Sequence, residues 1–187
     1  MTYLNTLVQR LLCLAIIVLS SSAIAENPIV KLETSEGAIT VVLFADKAPQ
    51  TVENFLAHVD EGFYENTVFH RVIDNFMVQG GGFDIDLKQK NTERKVINES
   101  KNRVHNDRGT VAMARTSDPD SAGSQFFICL GDAPQFNGKF ACFGKLRTGA
   151  EVLRKIGETP VKTSANGERS KPIKKVLIKS IKVRKAS

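Results

Sequence analysis

Arg71 is the one charge in Phe69-His70-Arg71-Val72-Ile73, and Phe76-Met77, Gln79 and the triplet Gly80-Gly81-Gly82 follow closely. A guanidinium is always charged and offers several N–H donors in a rigid fork. It can hold polar backbone groups but is neither a nucleophile nor a proton shuttle. Phe and Met beside it suit a flat apolar group of variable presentation. A second aromatic run, Ser124-Gln125-Phe126-Phe127-Ile128, lies further on. Together these residues suit hydrogen-bonded recognition next to an apolar slot.

Each residue type also has an ordinary explanation. An Arg in a strand-like run is most often a solvated surface residue, and a lone Phe is most often core. Phe126 reads as core here, because adjacent strand residues face opposite ways. By the same rule His70 faces away from Arg71. The glycines suit a tight turn better than a phosphate cradle, since no helix start or Lys-Ser/Thr follows. His58 and His105 are scattered, so no metal site is expected, and Asp118, Asp120 and Ser121 read as a polar turn.

The elements that position these residues are mostly short strands. Ile29–Thr34 and Ala38–Phe44 alternate around Ser35-Glu36-Gly37, the pattern of a hairpin. Pro49 opens a helix with Val52, Phe55, Leu56 and Val59 on one face and Gly62 as its stop. Apolar segments recur at Thr67–Ile73, Phe76–Val78, Thr110–Ala114, Gln125–Leu130 and Phe140–Phe143, and a polar loop fills 84–108. Thr148 and Glu151 have capping-box spacing and open a second helix through Val152, Leu153 and Ile156, ended by Gly157. A polar loop around Asn166-Gly167 then leads to the last strand. Many short strands with two helices fit a closed antiparallel barrel or a sandwich.

The first 25 residues differ from the rest. Arg10 is their one charge, Leu11–Leu19 is unbroken apolar sequence, and Ala23-Ile24-Ala25 is an A-x-A cleavage pattern. These are the parts of a secretory signal peptide, and nine apolar residues are too few to span a bilayer that needs about twenty. Cleavage after Ala25 is expected, leaving one domain over 26–187. Cys129 and Cys142 read as two buried thiols rather than a disulfide framework. The net charge is +6, and 171–187 carry basic residues without an acid, interleaved with Ile173, Val176, Ile178, Ile181 and Val183. That is a strand with a solvated basic face, and weak support for nucleic acid or lipid as a partner.

Four segments in order, Thr51–Phe55, Phe69–Gly82, Arg108–Arg115 and Ser124–Phe127, resemble the cyclophilin-type peptidyl-prolyl cis-trans isomerases, the bacterial branch in particular. The resemblance covers essentially all of 26–187. It implies a mainly β fold, a closed eight-stranded antiparallel barrel capped by two α-helices. It also implies an enzyme that needs no cofactor and acts on proline-containing polypeptides. Arg71 matches the family's catalytic Arg and Gln79 its partner Gln. Phe76, Met77, Phe127 and Phe136 match the proline pocket, Phe136 falling where Leu is usual. Ala114 and Arg115 match the short strand whose backbone pairs with the substrate.

This chain also departs from the family. It has no Trp, and Gln135 stands nearest the position of a rim Trp that contributes to cyclosporin binding, so weak inhibition is expected. Phe140 aligns with a family His. The expected protein is a periplasmic monomer, with secretion as the alternative address, binding neither nucleic acid nor, after cleavage, membrane. A non-catalytic proline-segment binder or chaperone on the same fold is the competing reading.

Overall fold

The computed structural model describes residues 27–184, so the signal-peptide expectation lies outside the described residues. Eight strands close into an antiparallel barrel: β1 (Ile29–Thr34), β2 (Gly37–Leu43), β3 (Thr67–Ile73), β4 (Met77–Asp84), β5 (Thr110–Met113), β6 (Phe126–Cys129), β7 (Cys142–Thr148) and β10 (Val176–Val183). Their order round the barrel is β1-β10-β3-β4-β6-β5-β7-β2. The remaining two strands, β8 (Val161–Thr163) and β9 (Arg169–Pro172), form a separate hairpin. The polar stretch around Asn166-Gly167 is the turn of that hairpin, where the sequence suggests a plain loop.

Alternation fills the barrel. Val30 and Leu32 of β1, Ile39, Val41 and Leu43 of β2, and Phe126 and Ile128 of β6 are buried in one core. Where alternation breaks, a bulge explains it. Thr34 pairs with Ile178 and Glu33 with Ser180, so one extra residue in β10 lets both Ile178 and Ile181 face inward.

Helix α1 (Pro49–Asp60) buries Val52, Phe55 and Val59 in that core. Phe55 meets the rings of Tyr64, Phe143 and Phe126 at 5.1, 5.2 and 5.7 Å. Its stop is the expected glycine: Gly62 takes φ 66°, and the N–H groups of Gly62 and Phe63 bond back to Val59 and His58. Its start is secured by the polar loop. Glu99 accepts from the N–H groups of Gln50 and Thr51 at 3.2 and 2.8 Å, placing a carboxylate at the positive helix end.

Helix α2 (Ala150–Gly157) also lays Leu153 and Ile156 on the core. The capping box is not formed. Thr148 is the last residue of β7, paired with Thr40, and Gly149 is the N-cap with φ 92°. A Cβ there would lie 2.5 Å from the Ala38 carbonyl oxygen, so strand pairing and close backbone approach decide this helix start. Glu151 pairs with Arg154 instead, and Gly157 is the last helical residue rather than a stop beyond it.

Candidate active site

A β-bulge places the principal side chain. Phe69 pairs with Gly80 and Arg71 with Gln79, so His70 is an extra residue in β3. Strict alternation would put Phe69 and Arg71 on one face. With the bulge, Phe69 is buried in the barrel core while Arg71 keeps 35 % of its side-chain surface exposed. His70 packs tilted at 52° against Phe83 at 4.5 Å between ring centres, and its Nδ1 is buried without a hydrogen-bond partner. Burial, and secondarily the charge of Arg71, push His70 down to about 4; it is neutral at pH 7.

From Arg71 a row runs across the sheet. Gln79 pairs with Phe127 and Phe127 with Ala112. Directly opposed residues share a face, so Arg71, Gln79, Phe127 and Ala112 project from the same side of the barrel wall. Met77, two residues before Gln79, shares that face. It packs with Ala112, Phe127, Cys129, Ala133 and Cys142 in a second apolar cluster distinct from the barrel core. Phe126 belongs to the barrel core, as alternation predicts.

The cluster is rimmed by aromatic rings. Phe136, at the end of the 3-10 turn Pro134–Phe136, meets Phe140, Phe76 and Phe127 at 4.7, 5.2 and 5.5 Å. Arg115 stacks over Phe140 at 4.8 Å. Ala114 follows β5 directly and donates its N–H to the Gln125 carbonyl at 2.9 Å. A cleft of about 270 Å³ continues past Gln79, Ala114, Arg115, Ser124 and Gln125. A separate cleft of about 350 Å³, lined by Asp74, Arg108 and the α2 side chains, holds none of the candidate catalytic or substrate-binding residues.

Polar groups hold the row together. Gln79 accepts from Arg71 Nη1 at 3.2 Å, and its own amide donates to Gln125 Oε1 at 3.0 Å. Glu168 accepts from Arg71 Nε at 2.6 Å and Nη2 at 2.7 Å. The Arg71 hydrogen bonds hold its carboxyl down at about 2, against partial burial. Sequence reading missed both residues. Gln125 was within reach, since it lies two residues before Phe127 on the same face. Glu168, in a polar stretch 97 positions from Arg71, carries no local signal.

The glycines do not form a tight turn. They lie inside β4, with Gly81 at φ 81° and a Cβ there meeting Tyr64 and Phe126 at 2.9 Å. At Gly82 a Cβ would strike the Gln125 side chain at 2.2 Å. Glycine is needed here because rings and Gln125 lie against the backbone. Cys129 and Cys142 are free and buried; burial pushes both thiols up, Cys142 to about 11. Ser121 bonds to Thr116 and to the Asp118 carbonyl, within a turn and with no base beside it.

A barrel of this order, with an Arg-led row on its outer wall and an aromatic hollow beside it, defines a class of proline-directed isomerases. Residues 29–183 match the model of the cyclophilin type peptidyl-prolyl cis-trans isomerase family. The chain belongs to that family, and its enzyme class is peptidyl-prolyl cis-trans isomerase. It is 43 % identical over 178 residues to a peptidyl-prolyl cis-trans isomerase of Acinetobacter baylyi, covering 90 % of this chain and 94 % of that one. Peptidyl-prolyl cis-trans isomerase B of Escherichia coli is 44 % identical over 163 residues, covering 82 % and 98 %. A crystal structure of a Cryptosporidium parvum cyclophilin superposes with a TM-score of 0.74 at 32 % identity, covering 86 % and 99 %. The same Cryptosporidium parvum protein in the presence of the dipeptide Ala-Pro gives 0.72 at 33 % identity, covering 84 % and 99 %.

Proposed function

We propose that this protein turns over X-Pro bonds in extended segments of other polypeptides, with Arg71 as the catalytic donor. The observation that carries this reading is the shared face of Arg71, Gln79 and Phe127, set beside Phe76, Met77 and Phe136. Peptide C–N rotation has a barrier of about 18–20 kcal/mol, because partial double-bond character is lost at the twisted geometry. An acceleration of ~10⁵-fold needs about 7 kcal/mol of selective stabilisation. In the twisted amide the nitrogen regains its lone pair and becomes an acceptor. An N–H of Arg71 aimed at it binds the twisted form better than the planar one, which is the condition for catalysis.

The proline ring occupies the hollow of Phe76, Met77, Phe127 and Phe136, and the substrate backbone runs beside Ala114 and Arg115. Because the Ala114 N–H is committed to Gln125, backbone pairing at that residue falls to its carbonyl. Gln79 bonds the substrate backbone and keeps Arg71 turned towards it. Replacing Arg71 by Ala lowers kcat/KM about 10²–10³-fold, the usual cost of one preorganised donor. A protease-coupled assay on a proline peptide measures this. Equal rates for wild type and Arg71→Ala would refute the mechanism and favour a non-catalytic binder.

The address is proposed on different grounds. The charged start, apolar run and A-x-A pattern of residues 1–25 support export to the periplasm, where newly exported chains are the clients. N-terminal sequencing of the protein isolated from cells is expected to begin at Glu26; a retained residue 1–25 segment would sink this part.

A further inference from the structure

The guanidinium of Arg71 is gripped from outside the barrel. Glu168 stands just before β9, where the β8–β9 hairpin turns. Its carboxylate takes the whole Nε–Nη2 edge of the fork, while Gln79 takes one N–H of Nη1. A guanidinium carries five N–H groups, so one N–H is left on each of Nη1 and Nη2. The turn is built to present that carboxylate. Asn166 Oδ1 accepts from the Glu168 N–H at 3.1 Å and from Ser164 Oγ at 2.5 Å. The Glu168 carbonyl accepts from the Ser164 N–H at 2.8 Å, and Gly167 supplies φ 85°.

We propose that Glu168 is a positioning residue for Arg71, clamping one edge of the guanidinium so that its two remaining N–H groups meet the rotating amide in a single orientation. The proposal rests on the reading of Arg71 as the donor. A 3.2 Å bond from Gln79 to one nitrogen leaves the guanidinium plane free to turn about that contact. A bidentate carboxylate fixes the plane as well as the position. The ion pair leaves the guanidinium protonated, so its two remaining N–H groups stay charge-assisted donors. The amide develops no net charge as it twists, so the direction of the N–H matters more than the total charge behind it.

The test uses wild type, Arg71→Ala, Glu168→Ala and Glu168→Gln as full proteins. kcat and KM are measured separately on a proline peptide, and the Arg Nε–H signals are recorded in ¹H–¹⁵N spectra. Wild type should show an Nε–H resonance protected from solvent exchange, absent in Arg71→Ala and in Glu168→Ala. Glu168→Ala should lower kcat about 10-fold with KM within twofold, the signature of lost orientation. Glu168→Gln should recover part of kcat, since its one amide oxygen still accepts an N–H. Wild-type or higher kcat in Glu168→Ala, with Arg71→Ala inactive, overturns the proposal; so does a loss confined to KM. Full activity in Arg71→Ala would instead defeat the donor reading on which the proposal stands, and the proposal with it.

Discussion

Gln79 is bonded on both sides of its amide, with the oxygen towards Arg71 and the nitrogen towards Gln125. That polarity leaves no freedom to flip, because the reverse orientation would point NH₂ at a guanidinium that has no acceptor. Four side chains, Glu168, Arg71, Gln79 and Gln125, therefore form one hydrogen-bonded line. Gly82 is what admits its last member, since a methyl there would lie 2.2 Å from Gln125 Cγ. The obstacle begins at Cγ, so Gly82→Ala forces Gln125 out of its rotamer, lowers Tm and releases Gln79. A drop of roughly 10-fold in kcat/KM is expected, within the cost of misplacing a positioning group by about 1 Å. Unchanged activity in a folded Gly82→Ala protein would show that Gln125 plays no part in orienting the row. At this scale the sequence was informative about Arg71, Phe76, Met77, Gln79 and Phe127, whose types sit in two compact runs. It was silent about Glu168, whose contact joins segments far apart in the chain.

Among the elements, regular periodicity was readable and its exceptions were not. The β1–β2 hairpin and the α1 face follow directly from spacings of two and of three to four residues, and Gly62 ends α1 as its residue type requires. The bulge at His70 has no comparable signature, yet it turns Arg71 out of the barrel. The Thr148–Glu151 box failed for a related reason: pairing of Thr148 with Thr40 outweighs a local cap. Likewise the 84–108 stretch is polar enough to read as pure loop. Val96 nonetheless bonds to the Ala122 carbonyl and is buried in the barrel core, while Glu99 tethers α1.

For the molecule as a whole, folding depends on keeping certain groups in one protonation state. His70 and His58 are both held below the ordinary imidazole value of 6.5, chiefly by burial, His70 at about 4. The Arg71 charge adds to the depression of His70; Arg94 lowers and Glu61 raises His58. Unfolded chains take up these protons below about pH 6.5 and the folded protein resists, so the stabilisation is full above 6.5 and drains away as pH falls, for His70 down to about 4. Glu168 then continues the loss as its carboxylate protonates between 4.5 and about 2, a small term for a pair about one-third exposed. From pH 7 to pH 5 the unfolding free energy should fall by on the order of 1–2 kcal/mol through His70 alone. His70→Phe should lose less stability over that interval than wild type in urea titrations. Parallel losses in the two proteins would remove His70 from this account.

The chain by its local sequence already specified its strand and helix periods, its family and the residue types at Arg71 and the aromatic hollow. Those are local properties: a side chain's polarity and its spacing to near neighbours do not depend on the rest of the fold. The folded arrangement alone set which way Arg71 points, that the glycines abut rings rather than make a turn, and that a carboxylate from a separate hairpin grips the guanidinium. Each of these is set by register between strands and by approach of distant segments. A single inserted residue reverses a face, and no short stretch of sequence encodes where its partner lies.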